Sequence, residues 1–153
     1  LLDTNICIFF LRSKLNLIEI IKEKGRENCI LSEITVLELR FGAENSEKPE
    51  KSNIAIDNFV NGLSILPIYG SIKRYAKEKV RLRKLGKPIH YDFDLLIGAT
   101  SVEHERTPVT GNIKGFERIE GIKIENWFTR KSPRDKYGLN STIMLILIVL
   151  YIF

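Results

Sequence analysis

The sequence predicts an α/β fold in which helices cover both faces of a mainly parallel sheet. Three observations carry that prediction. Short apolar runs of strand length alternate with segments whose apolar residues recur at three and four. The 153 residues, 44% hydrophobic and 28% charged, suit one globular domain with a sizeable core and leave no room for two of usual size. Acids stand where an apolar strand ends and where an apolar helix begins, the edge at which functional groups gather in parallel sheets.

The chain opens on Leu1-Leu2, read as a strand that a core strand of usual length would extend by about two or three residues. Leu15, Ile18 and Ile21 share a helix face that Gly25 closes. Asn28–Leu31 reads as a strand, and Ser32 is a good N-cap for a helix through Thr35, Val36, Leu39 and Ala43. Ile54, Ile56, Phe59, Val60 and Leu63 mark another helix, followed by a strand at Ser64–Pro67. Ile72, Tyr75, Ala76, Lys79 and Leu82 give a helix ended by Gly86 and Pro88. Asp94 to Glu105 gives the most apolar helix, with Leu95, Leu96, Ile97, Ala99 and Val102. Strands at Thr107–Thr110 and Ile122–Ile124 complete the body. The domain is expected over 1–128, with 129–153 an atypical tail. Its run Ile143–Phe153 is eleven apolar residues, too short for the ~20 of a membrane span. It reads as a packed strand or helix, or as an appendage.

Cys7 and Cys29 form no CxxC motif and read as buried free thiols, which suits a reducing compartment. No basic segment followed by an apolar one suggests secretion, so a cytoplasmic location is expected. Lys and Arg number 24 against 19 Asp and Glu, a net +5 compatible with a polyanionic partner. Eight basic residues lie between Lys73 and Lys87 against one acid, Glu78. That stripe, with Arg74, Lys77, Arg81 and Lys84 as candidates, either contacts the phosphates of a polyanionic partner or is a solvated helix face. A P-loop is excluded by the lack of GxxxxGK[ST]. A zinc hydrolase is disfavoured because neither HExxH nor a Cys/His cluster occurs. A phosphatase using paired strand-end aspartates would need an acid where Asn5 stands. His90 reads as a loop residue and His104 as a surface one.

Each prominent acid has an ordinary reading. Asp3 suits a turn or a helix N-cap, Asp94 a helix cap, and Glu38 a solvent-facing or partnered position on its helix. If the sheet is parallel, all three can converge on one edge. Converging carboxylates repel one another unless a cation is present, and hard oxygen ligands select Mg²⁺ or Mn²⁺ over zinc.

LDTN at 2–5, TVLELRFG at 35–42, DLLIGA at 94–99, VTGNIKGFERIEG at 109–121 and IENW at 124–127 are similar, in order and spacing, to PIN-domain ribonucleases. The chain most resembles the VapC-type toxins of bacterial toxin–antitoxin pairs, over residues 1 to about 128. The resemblance implies a three-layer α/β/α sandwich and a metal-dependent endoribonuclease whose acids are Asp3, Glu38 and Asp94. It implies Mg²⁺ or Mn²⁺ as cofactor, RNA as substrate, a cognate antitoxin as partner, and a homodimer. Thr4, Asn5 and Thr110 match small polar positions that orient the acids or water. Asn112 stands where members often carry a fourth acid, and Gly115 where an acid often precedes the Phe. Asp92 is a candidate to compensate. A catalytically weakened domain that binds RNA or an antitoxin is the alternative.

Overall fold

In the computed structural model, which describes residues 1–12 and 17–127 apart from the side chains of 17–19, the sheet is short and parallel. Its strands β1 (Ile30–Ser32) and β2 (Ser64–Leu66) pair with Ile30 opposite Ser64. Leu2 N–H donates to Ile30 O at 2.8 Å, and single parallel bridges join Leu2 to Val109 and Val109 to Glu125. The order across the sheet is therefore β2, β1, Leu2, Val109, Glu125. The strands expected at Thr107–Thr110 and Ile122–Ile124 contract to one bridged residue each, Val109 and Glu125, the second one residue beyond its expected end. Pro108 has no N–H to extend the ladder and only accepts, from Glu125 N–H at 2.9 Å.

The helices are α1 (Thr4–Leu11), α2 (Leu17–Lys24), α3 (Glu33–Glu44), α4 (Pro49–Val60), α5 (Ile72–Lys84), α6 (Asp92–Glu103) and α7 (Ile113–Phe116). Successive strand residues point to opposite faces. Leu2, Leu31 and Val109 join one core cluster with Ile6, Cys7, Leu39, Ile56 and Phe59, from α1, α3 and α4. Leu1 and Ile30 join another with Leu82, Leu95, Ile97 and Phe116, from α5, α6 and α7. Two apolar layers about one sheet make the expected three-layer sandwich. Both cysteines are free and buried, and burial pushes their thiols up. Among the described residues no helix is long and apolar enough to cross a membrane. The tail expected over 129–153 lies outside the described residues.

Helices α1 and α7 are additional to those expected, α4 ends at Val60 short of Leu63, and α6 is shifted by two residues at each end. α1 directly follows Asp3, where spacing carries no periodic signal: TNICIFFL is apolar on nearly every side. α6 begins at Asp92 rather than Asp94, because Tyr91 is the N-cap, and it ends at Glu103. Asp94 therefore lies inside the first helical turn, where the helix dipole favours an anion.

Candidate active site

The sheet ends its central strand at Asp3, and Asp3 also opens α1. Its N–H donates to Val109 O at 3.0 Å, and its Oδ1 accepts from Thr4 N–H at 2.8 Å. Oδ2 accepts from Asn5 Nδ2 and from Thr110 Oγ1, each at 2.6 Å. The residue is 3% exposed. Burial raises its pKa to about 6, against the opposing pull of the bonds from Thr110, Thr4 and Asn5.

Glu38 rides on α3, which is anchored twice at its start. Ser32 Oγ accepts from Thr35 N–H at 3.1 Å, and Thr35 Oγ1 donates to Leu2 O at 3.3 Å. That places Glu38 over the start of α1, where its Oε2 accepts from the Thr4 hydroxyl. Its pKa is raised to about 7, first by burial and further by the charges of Asp3 and Asp94, while the Thr4 bond opposes the shift. Asp94 Oδ2 accepts from Asn112 Nδ2 at 2.9 Å. Burial and then the charge of Asp3 raise this acid also to about 7, against Asn112 and Arg118.

The charge of Asp3 on the N-terminal strand thus reaches Glu38 on α3 and Asp94 on α6, and that of Asp94 reaches Glu38. The small polar residues sit between them. Thr110 is fully buried, and its Oγ1 also accepts from Asn112 N–H at 2.9 Å and from Asn5 Nδ2 at 3.3 Å. Asn5 Oδ1 accepts from Gly111 N–H at 3.2 Å, pinning the loop that carries Thr110.

Asp92 is not brought in. It is exposed, and Lys79 Nζ bonds both its oxygens at 2.6 and 2.8 Å, which holds its pKa below the usual range. Of the basic candidates, Arg74 pairs with Glu103 at 2.7 Å and Arg81 with Glu78 at 2.5 Å, whereas Lys77 and Lys84 are exposed with no ion pair among the described residues. His90 lies exposed in a bend, but His104 caps the end of α6 half-buried, with Nε2 covered and unpartnered, instead of on the open surface. Sequence reasoning missed Glu78. It is 5% exposed and joins α5 to the 117–120 turn by accepting from Arg81 and from Glu120 N–H at 2.9 Å. Its only sequence signal is being the lone acid in a basic stripe.

Among the described residues no three His, Cys, Asp or Glu side chains close round a point as a ready-made ion cage. The donor chemistry fits a hard divalent cation all the same. All three groups are carboxylates, burial penalises the charged form of each and like charges add to it at Glu38 and Asp94, and none is paired with a Lys or Arg among the described residues. Glu38 Oε1 and Asp94 Oδ1 accept none of the described hydrogen bonds, so both have lone pairs to offer.

A parallel α/β/α sandwich with acids at the carboxyl edge of its sheet defines a class, and the comparisons agree. Residues 1–122 match the PIN domain, and the chain belongs to that family. Among its relatives is the tRNA(fMet)-specific endonuclease VapC of Salmonella typhimurium, 34% identical over 132 residues. Another is the tRNA(fMet)-specific endonuclease VapC of Shigella flexneri, 30% identical over 128 residues. Each alignment covers 83% of this chain and 96% of the relative. Similar solved structures include DNA-bound VapBC from Salmonella typhimurium, with a TM-score of 0.76 at 31% identity over 82% of this chain and 96% of that one. VapBC2 from Rickettsia felis bound to a promoter DNA fragment gives 0.73 at 30%, with the same coverage. The resemblance to VapC-type PIN-domain ribonucleases is borne out.

Proposed function

We propose that this chain is an endoribonuclease dependent on Mg²⁺ or Mn²⁺, acting as the toxin of a toxin–antitoxin pair, with Asp3, Glu38 and Asp94 as its catalytic acids. The observation that carries the reading is the meeting of these acids, from three elements far apart in sequence, on a fold shared with relatives named endonucleases. Asp3 and Asp94, with Glu38, would hold the cation. A bound divalent cation supplies a water of lowered pKa and neutralises charge on the phosphate in the transition state.

The chain's own groups do the rest. Thr110 and Asn5 fix the Asp3 carboxylate, so that it needs no rearrangement when substrate arrives. Thr4 holds Glu38 by Oε2 and leaves Oε1 either to join in holding a cation or to take the proton of the attacking water. Because water attacks rather than the ribose 2′-OH, the products carry 5′-phosphate and 3′-hydroxyl ends. Of the four candidates on the α5 stripe, Lys77 and Lys84 are free of ion pairs among the described residues and left to meet RNA phosphates. The solved relatives are VapBC assemblies, which supports an antitoxin as partner. The protein works in the cytoplasm, and as a homodimer.

Purified protein with a labelled single-stranded RNA panel, in Mg²⁺, Mn²⁺ or excess EDTA, tests this. Cleavage is expected with either cation, none with EDTA, and a loss of at least about a hundredfold in Asp94→Asn. Folded protein that binds RNA or antitoxin but cuts nothing under any cation would instead establish the binding module. Full cleavage by Asp94→Asn would remove that acid from the site.

A further inference from the structure

Asn112 is held at three points. Its N–H donates to Thr110 Oγ1 at 2.9 Å, its Oδ1 accepts from Gly115 N–H at 3.2 Å, and its Nδ2 donates to Asp94 Oδ2 at 2.9 Å. The bond from Gly115 sets the carboxamide's orientation, since only its oxygen accepts, and so turns the NH₂ end towards Asp94. Thr110 Oγ1 in turn donates to Asp3 Oδ2. A continuous run of hydrogen bonds therefore links two acids: Asp3, Thr110, Asn112, Asp94.

Gly115 explains how the carboxamide fits. It is buried in α7 and is not among the glycines with left-handed backbone, so the position does not need glycine for its conformation. It needs glycine for space. The three atoms nearest to a Cβ placed there all belong to the Asn112 side chain, and the Cβ would overlap them, with Cγ at 2.8 Å and Oδ1 at 2.9 Å. A side chain at 115 forces the Asn112 carboxamide to shift from this position.

We infer that Asn112 and Gly115 form one positioning device for Asp94. The missing side chain at 115 makes the room in which the Asn112 carboxamide lies, and the carboxamide sets the Asp94 carboxylate and couples it to Asp3. Asn112 is a positioning residue in this scheme, and Gly115 acts only through it. The inference rests on the reading of Asp3, Glu38 and Asp94 as a cation site.

Mn²⁺ binding to the full chain, followed by the electron paramagnetic resonance signal of the free ion, separates the two. Four proteins are compared: wild type, Asn112→Ala, Gly115→Ala and the double variant. Each single change is expected to weaken Mn²⁺ binding about tenfold, the low end for loss of a residue that orients a metal ligand. The double variant is expected to match Asn112→Ala alone, because with the carboxamide gone the methyl added at 115 has nothing left to displace. Melting temperatures should stay within a few degrees, since a side chain and not backbone gives way. Wild-type affinity in Gly115→Ala, or losses that add in the double variant, would overturn the inference while leaving the cation site standing. Folded wild type that binds no Mn²⁺ would overturn both. If Gly115→Ala does not fold, the double variant should regain the fold, and its failure to do so would refute the interlock.

Discussion

Asp3, Glu38 and Asp94 hold protons in the folded chain at pH values where ordinary carboxylates have lost them, with pKa values near 6, 7 and 7 against 3.8, 4.5 and 3.8. Between those values the native state binds more protons than the unfolded state, so stability falls as pH rises. The fall runs from about pH 4 to 7 and reflects carboxylates forced to ionise in a buried, crowded place. In EDTA, therefore, Asp3→Asn should gain in melting temperature over wild type as pH goes from 5 to 8. Saturating Mn²⁺ should raise wild type at pH 8 and do little at pH 5. Calorimetry at the two pH values checks both, and a difference between the proteins that stays constant with pH would refute the crowding account. At this scale no single acid is legible as functional in the sequence, because a strand-end aspartate, a helix-start aspartate and a helix glutamate each have an ordinary reading, and only the resemblance groups them. Nor is the partnership of Asn112 and Gly115 legible, because it depends on a side chain folding back over a neighbour three residues on.

An acid is only as well placed as the element that carries it. α3 brings Glu38 to Thr4, and its start depends on Ser32, whose Oγ accepts from Thr35 N–H. Ser32→Ala should cost about 1 kcal/mol of stability, the usual worth of an N-cap. It should also weaken cleavage beyond what the stability loss explains, because Thr35 ties the same turn to Leu2 O. Denaturant unfolding beside the RNA assay checks this, and unchanged stability would mean that packing alone sets the helix start. The helices with one apolar face, α3, α4 and α5, were readable from spacing. α1 was not, because it is buried on several sides and its apolar residues show no stripe. The two outer strands were over-read: apolar β-branched residues satisfied the pattern, but Pro108 limits the ladder to single bridges.

Across the whole molecule, charge and chain order matter more than any one contact. The +5 balance concentrates on α5, yet Arg74 and Arg81 are already engaged by acids of the chain itself, Glu103 at the surface and Glu78 beneath it. Lys77→Ala should therefore reduce the salt dependence of RNA binding by nearly one ion, whereas Arg74→Ala should change it less. Binding measured from 50 to 200 mM salt tests the contrast, and equal slopes would show that the Arg74–Glu103 pair opens on RNA. The bond from Thr110 to Asp3 spans 107 positions of the chain. The residue that supports Asp3 is therefore synthesised 107 positions after it. A nascent or prematurely terminated chain thus carries its first acid without its partner. Asp3 and Thr110 meet only when the sheet closes, so the supported acid is a property of the folded domain and of no local segment.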